Sequence, residues 1–91
     1  WMNTKNKIDE LRSKIDDYDD KILDLLVKRF ELSDKIGSIK QNSNSEILDT
    51  DREKQIINRL VNKFSTIDKE HIKSIFIQIF NVSKLIQEKK K

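Results

Sequence analysis

Arginine is used sparingly in this chain. Of 19 basic residues only four are arginines: Arg12, Arg29, Arg52 and Arg59. Lysine supplies the general surface charge, whereas a planar guanidinium fork suits two-point binding of a carboxylate. Arg29 stands out by position. It falls in a repeating apolar pattern where Ile22 and Ile36 predict another aliphatic residue. Burying an unpaired guanidinium there is costly, so Arg29 requires an internal Asp or Glu or an anionic ligand. Lys40 follows eleven residues later, close to three helical turns, so both side chains leave the helix in the same direction and can converge on one ligand. Arg12 precedes Arg29 by seventeen residues, about 25 Å along a helix axis. It cannot share a small ligand with Arg29 of its own chain, so any site it serves is completed by a second chain.

Other polar residues invite two readings each. Thr50-Asp51-Arg52-Glu53 matches a capping box, in which Glu53 bonds back to the helix start. Asp49 has the chemistry of an N-cap. Taken alone, each carboxylate fits this capping reading at least as well as a functional one. Ser83 and Gln87 lie one turn apart and share a helix face, beside the stripe of Phe76 and Phe80. They are either polar residues at the edge of the core or hydrogen-bonding groups for a ligand.

These residues must be positioned by helices. The chain has no proline and one glycine, and 38% of its residues are charged. Ile8, Leu11, Ile15, Tyr18, Ile22, Leu25, Leu32, Ile36 and Ile39 recur at spacings of three and four, a sustained heptad seam. The pattern predicts a first helix over residues 4–41. Asn42 to Ser45 reads as a loop. A second helix, over residues 49–64, carries Ile56, Ile57, Leu60, Val61 and Phe64, and ends at Ser65 and Thr66. A third, over residues 68–88, begins with Asp68 as its cap, with Ile67 and Ile72 placed for a hydrophobic staple. Its seam is Ile72, Ile75, Ile79, Val82 and Ile86.

Length then decides a question of assembly. The first helix spans about 55 Å, whereas a compact chain of 91 residues is about 30 Å across. Two shorter helices cannot cover it, so the rest of the seam needs another chain. Lysine occupies Lys7, Lys14, Lys21, Lys28 and Lys35 beside the seam, but among the opposite flanking residues Arg12, Asp19, Leu26, Ser33 and Lys40 only one is acidic. That charge pattern fits a helical bundle better than a simple zipper.

Composition narrows the function classes. No cysteine is present and His71 is the one histidine, so thiolate metal sites and disulfides are excluded and no metal site is expected. No apolar run is long enough for a transmembrane helix. The polar, charged start does not read as a signal peptide, and Trp1 ahead of Met2 reads as an appended residue. The expected location is cytoplasmic. The net charge of +3 owes much to Lys89-Lys90-Lys91, a solvated tail rather than a nucleic-acid surface.

Together these residues resemble the all-helical (AroQ-type) chorismate mutases, from Leu11 to Gln87. The resemblance rests on Leu11-Arg12, Ile15, Asp19, Leu25-Leu26, Arg29, Glu31-Leu32, Ile36-Gly37 and Lys40. It continues through Asp49-Thr50-Asp51-Arg52-Glu53 and then Ser83 and Gln87. It implies an intertwined homodimer of three-helix chains, each active site borrowing an arginine from the other chain. The implied reaction is the concerted Claisen rearrangement of chorismate to prephenate, without cofactor or metal. By the same resemblance Arg29 and the second chain's Arg12 hold the substrate carboxylates, with Ser83 at the ring end. Lys40 and Gln87 donate to the ether oxygen, Glu53 and Asp49 hold the ring hydroxyl, and Arg52 orders the helix start. A carboxylate at position 87 would need protonation to donate, whereas glutamine does not, so activity is not expected to require acid. The alternatives are an isochorismate-pyruvate lyase of the same fold, a non-catalytic helical dimerisation module, and a regulatory domain of a longer fusion.

Overall fold

The computed structural model describes residues 3–43 and 49–88. Three helices occur in chain order: α1 over Thr4–Ser43, α2 over Thr50–Lys63 and α3 over Lys69–Glu88. No strand is present among the described residues. None of their helices is long and apolar enough to cross a membrane. α1 continues past the expected end, through Asn42 and Ser43, because neither proline nor glycine stops it. The remainder of the expected loop and the three terminal lysines lie outside the described residues.

Side-chain and backbone caps account for the helix starts. Asn3 Oδ1 accepts from the Asn6 N–H at 2.8 Å and opens α1. Asp49 Oδ1 accepts from the Arg52 N–H at 2.9 Å, and Asp49 O accepts from the Glu53 N–H at 3.1 Å. Asp68 Oδ1 accepts from the Glu70 N–H at 2.8 Å. Each side-chain oxygen satisfies a donor that the first helical turn leaves without an intrahelical partner, and the Asp49 carbonyl accepts the first bond of α2. α2 closes where the Phe64 N–H donates to Leu60 O at 2.9 Å. At the start of α3, Ile72 is buried and Ile67 remains partly exposed.

The chain divides into two units, one ending at Glu31 and one beginning at Leu32. In the first, residues 3–25 are all exposed, and Leu26, Arg29 and Phe30 are half-buried. Local contacts decorate this stretch. Lys28 pairs with Asp24 at 3.2 Å, and Lys21 sits over the Tyr18 ring at 5.3 Å. Both add little in water.

In the second unit α2 packs on α3. Among the described residues the buried apolar ones are Ile56, Ile72 and Phe80. Ile57, Leu60 and Val61 flank Ile56 as half-buried neighbours, and Phe76 meets Phe80 with ring centroids 6.0 Å apart. The inward line of α3 differs from the expected one. It runs Ile72, Phe76, Phe80, Ser83, Gln87, while Ile75 and Val82 are exposed. The inward side of α1 differs likewise. Ser33 and Gly37 are buried, whereas Leu32, Ile36 and Ile39 stay open, with Ile39 at 66% exposure.

Candidate active site

Two contacts organise the candidate residues of the second unit. The first joins α1 to α3 at Gly37. A Cβ built on Gly37 would stand 2.9 Å from Gln87 Cα and 3.0 Å from Gln87 Cβ. The first is closer than carbon atoms tolerate and belongs to main chain that a side-chain rotation cannot move, and the second is tight. Gly37 therefore sets how near α3 can come to α1 at the level of Gln87. Gln87 is buried and its amide oxygen is closed off from solvent. One turn earlier Ser83 is buried as well. These two residues continue the core line of α3 and are not edge residues. A buried hydroxyl and a buried amide there carry a desolvation cost that apolar residues would not.

The second contact joins α2 to α3. Glu53 Oε2 lies 3.1 Å from Lys84 Nζ, with side-chain exposures of 26% and 29%. The capping-box reading of Glu53 is thus replaced. Asp49 caps α2, Glu53 sits one turn further in, and its carboxylate is held by α3. The Lys84 partnership was not foreseen in the sequence, where lysine reads as a solubilising residue. Its one signal there is a charge interrupting the apolar run from Ile79 to Ile86, next to Ser83.

The other candidates divide by unit. Lys40 is half-buried, on the same flank of α1 as Ser33 and Gly37. Arg52 is exposed and gives its main-chain N–H to the Asp49 cap. Arg12 and Arg29 belong to the unit ending at Glu31, where Arg12 is exposed and Arg29 half-buried. So the second unit gathers Lys40, Asp49, Arg52, Glu53, Ser83 and Gln87, and the two carboxylate-binding candidates lie outside it.

An open groove of about 490 Å³ also runs between α2 and α3, lined by Thr50, Glu53, Ile57, Lys73, Ile77 and Phe80 among others. Its size suits a small ligand. Glu53 is its sole member from the candidate set, and the buried Ser83 and Gln87 are not part of it. Among the described residues no three His, Asp or Glu side chains converge on a metal position.

Buried polar groups on the core face of α3, with a carboxylate held between α2 and α3, mark an all-helical protein whose core carries hydrogen-bonding groups. Comparison with known proteins specifies it. The family model of chorismate mutase type II matches residues 11–88. The bifunctional chorismate mutase/prephenate dehydratase of Escherichia coli K12 is 35% identical over 89 residues, covering 96% of this chain and 23% of that protein. The chain thus spans about a quarter of the length of such bifunctional relatives. The chorismate mutase of Methanocaldococcus jannaschii is 37% identical over 78 residues, covering 84% of this chain and 75% of that protein. A solved structure of a conserved hypothetical protein from Pyrococcus furiosus superposes with a TM-score of 0.73 at 35% identity, covering 94% of this chain and 99% of that one. The chain belongs to the chorismate mutase type II family.

Proposed function

We propose that this chain catalyses the rearrangement of chorismate to prephenate, and that it does so as an intertwined homodimer. The observation that carries the reading is the placement of Gln87: buried, on the core line of α3, against the bare backbone of Gly37. An amide held there is a fixed donor in a site of low dielectric, where it is worth more than in water.

The reaction breaks a C–O bond and forms a C–C bond within one molecule. Negative charge grows on the ether oxygen as its bond to the ring lengthens. Gln87 and the half-buried Lys40 donate to that oxygen and so favour the transition state over the ground state. Arg29 and the Arg12 of a second copy bind the two carboxylates and hold the substrate arm folded over its ring, which removes rotational freedom before reaction. Ser83 assists at the ring end. Glu53 and Asp49 accept from the ring hydroxyl, and Arg52 steadies the start of α2. No covalent intermediate, cofactor or metal enters this scheme.

The dimer rests on the open stripe of α1. Leu11, Ile15, Tyr18, Ile22, Leu25, Leu32, Ile36 and Ile39 are each 47–66% exposed or close to it. Covering each one fully adds about 1 kcal/mol. The sum is comparable to the whole net stability of a typical domain, about 5–15 kcal/mol.

The test begins with purified chain and chorismate. Substrate absorbance is followed at neutral pH, and prephenate is identified as product. Absence of turnover sinks the proposal. Chains carrying Arg12→Ala and Arg29→Ala, each inactive alone, are then mixed. Exchanged dimers contain one site with both arginines, so part of the activity returns. No recovery after verified exchange would count against the shared site.

A further inference from the structure

We propose that Lys84 is a positioning residue for the reaction: it holds one oxygen of Glu53 so that the other is left for the substrate's ring hydroxyl. The inference rests on the site reading above, in which Glu53 accepts that hydroxyl.

Three observations carry it. Lys84 Nζ meets Glu53 Oε2 at 3.1 Å, an ion pair at hydrogen-bond distance, slightly longer than the tightest charge-assisted bonds. The pair ties α2 to α3, unlike Lys28–Asp24 and Lys73–Glu70, which join residues within one helix. Both its side chains are about three-quarters covered, whereas those of Lys28 and Asp24 are 65% and 64% exposed. An exposed pair of mobile side chains fixes nothing. A pair in this setting fixes the rotamer of Glu53.

Electrostatics supply the reason. A site that takes a dianion is penalised by an additional bare carboxylate. Lys84 offsets that charge while leaving Glu53 its acceptor capacity, since a carboxylate has lone pairs on both oxygens. Lys84 lies one turn after Phe80 on α3, and Phe80 lines the same groove as Glu53, so the lysine rises beside the carboxylate it meets. Lys84 acts through Glu53 and not on the reacting atoms. The hydroxyl it helps to hold is present in both substrate and transition state, so its loss weakens both alike and appears in KM more than in kcat.

The experiment measures kcat and KM for chorismate in wild type, Lys84→Met, Lys84→Arg, Glu53→Gln and the Glu53→Gln/Lys84→Met double variant, with helix content checked by circular dichroism. Lys84→Met is expected to raise KM by about tenfold and to change kcat by about twofold or less. Lys84→Arg recovers most of the loss. In the Glu53→Gln background, Lys84→Met adds about twofold at most, because the group it positions has gone. An unchanged KM in Lys84→Met overturns the proposal. So does an equal loss in both backgrounds, which would mean that Lys84 meets the substrate directly or serves only stability. A wild-type chain without turnover overturns the site reading, and the role of Lys84 with it; an active wild type with an indifferent Lys84→Met overturns the role alone.

Discussion

Before Glu31, α1 keeps Leu11, Ile15, Tyr18, Ile22 and Leu25 open to solvent, and residues 3–25 show no buried position. From Leu32 onward the chain has a core, yet of α1 residues 32–40 those buried there are Ser33 and Gly37. The contrast separates two uses of a helix. A wide apolar stripe recovers its burial energy only against a large partner. Small residues let backbones approach and bring functional side chains into register. Apolarity on α1 thus marks the surface this chain leaves open, and smallness marks the surface it has already used.

Breaking the first of these surfaces has the largest expected effect. Ile22→Glu places a charge in the middle of the open stripe, where burial without a partner is prohibitive. Sedimentation is expected to show monomers, and turnover to fall about a thousandfold or more, since removing even single transition-state donors costs factors of that order. A dimer of normal activity would show that the stripe is not the interface. Next come Lys40→Ala and Gln87→Ala. Each removes one proposed donor to the ether oxygen and is expected to lower kcat by about a hundredfold or more, with an unchanged helical spectrum. Near-normal turnover in either would refute its role.

Gly37→Ala sharpens the comparison on the other surface. If Gly37 merely interrupts a helix, alanine should stabilise the chain by up to about 1 kcal/mol. The contact with Gln87 Cα at 2.9 Å argues for the opposite sign. The added methyl must push α3 away, and overpacking of this kind costs about 1–3 kcal/mol. Thermal unfolding gives the sign directly. Turnover is expected to fall about tenfold through displacement of Gln87 by a fraction of an ångström.

Much of this was legible in the sequence, and the rest was hidden for physical reasons. Three helices followed from the absent prolines and from caps such as Asp68, whose effect is local. The open seam followed from hydrophobic period. The face of α1 that meets α3 did not, because Ser33 and Gly37 carry no hydrophobic signal and lie beside a much louder stripe. On α3 the apolar period pointed to Ile75 and Val82, while the buried line passes through Ser83 and Gln87. There polar residues occupy core positions, so an apolar pattern misplaces the face. The Lys84–Glu53 pair joins two helices across 31 residues of sequence, a distance over which no spacing rule operates. Asp49 was readable both as a cap and as a ligand group, and the structure gives its Oδ1 to the Arg52 N–H.

That double reading sets up the smallest of the expected effects. Asp49→Ala removes the cap and the carboxylate together. Asp49→Ser retains an oxygen able to accept from the Arg52 N–H but removes the charge. Loss of the cap is expected to cost about 1 kcal/mol, lowering Tm by roughly 4–8 °C for a domain of this size. Serine should restore most of that stability. Turnover distinguishes the second role. If Asp49 serves only the helix end, activity in Asp49→Ser matches wild type. If its carboxylate also meets the ring hydroxyl, KM rises in Asp49→Ser although Tm has recovered, and the helix start of α2 is then part of the site it positions.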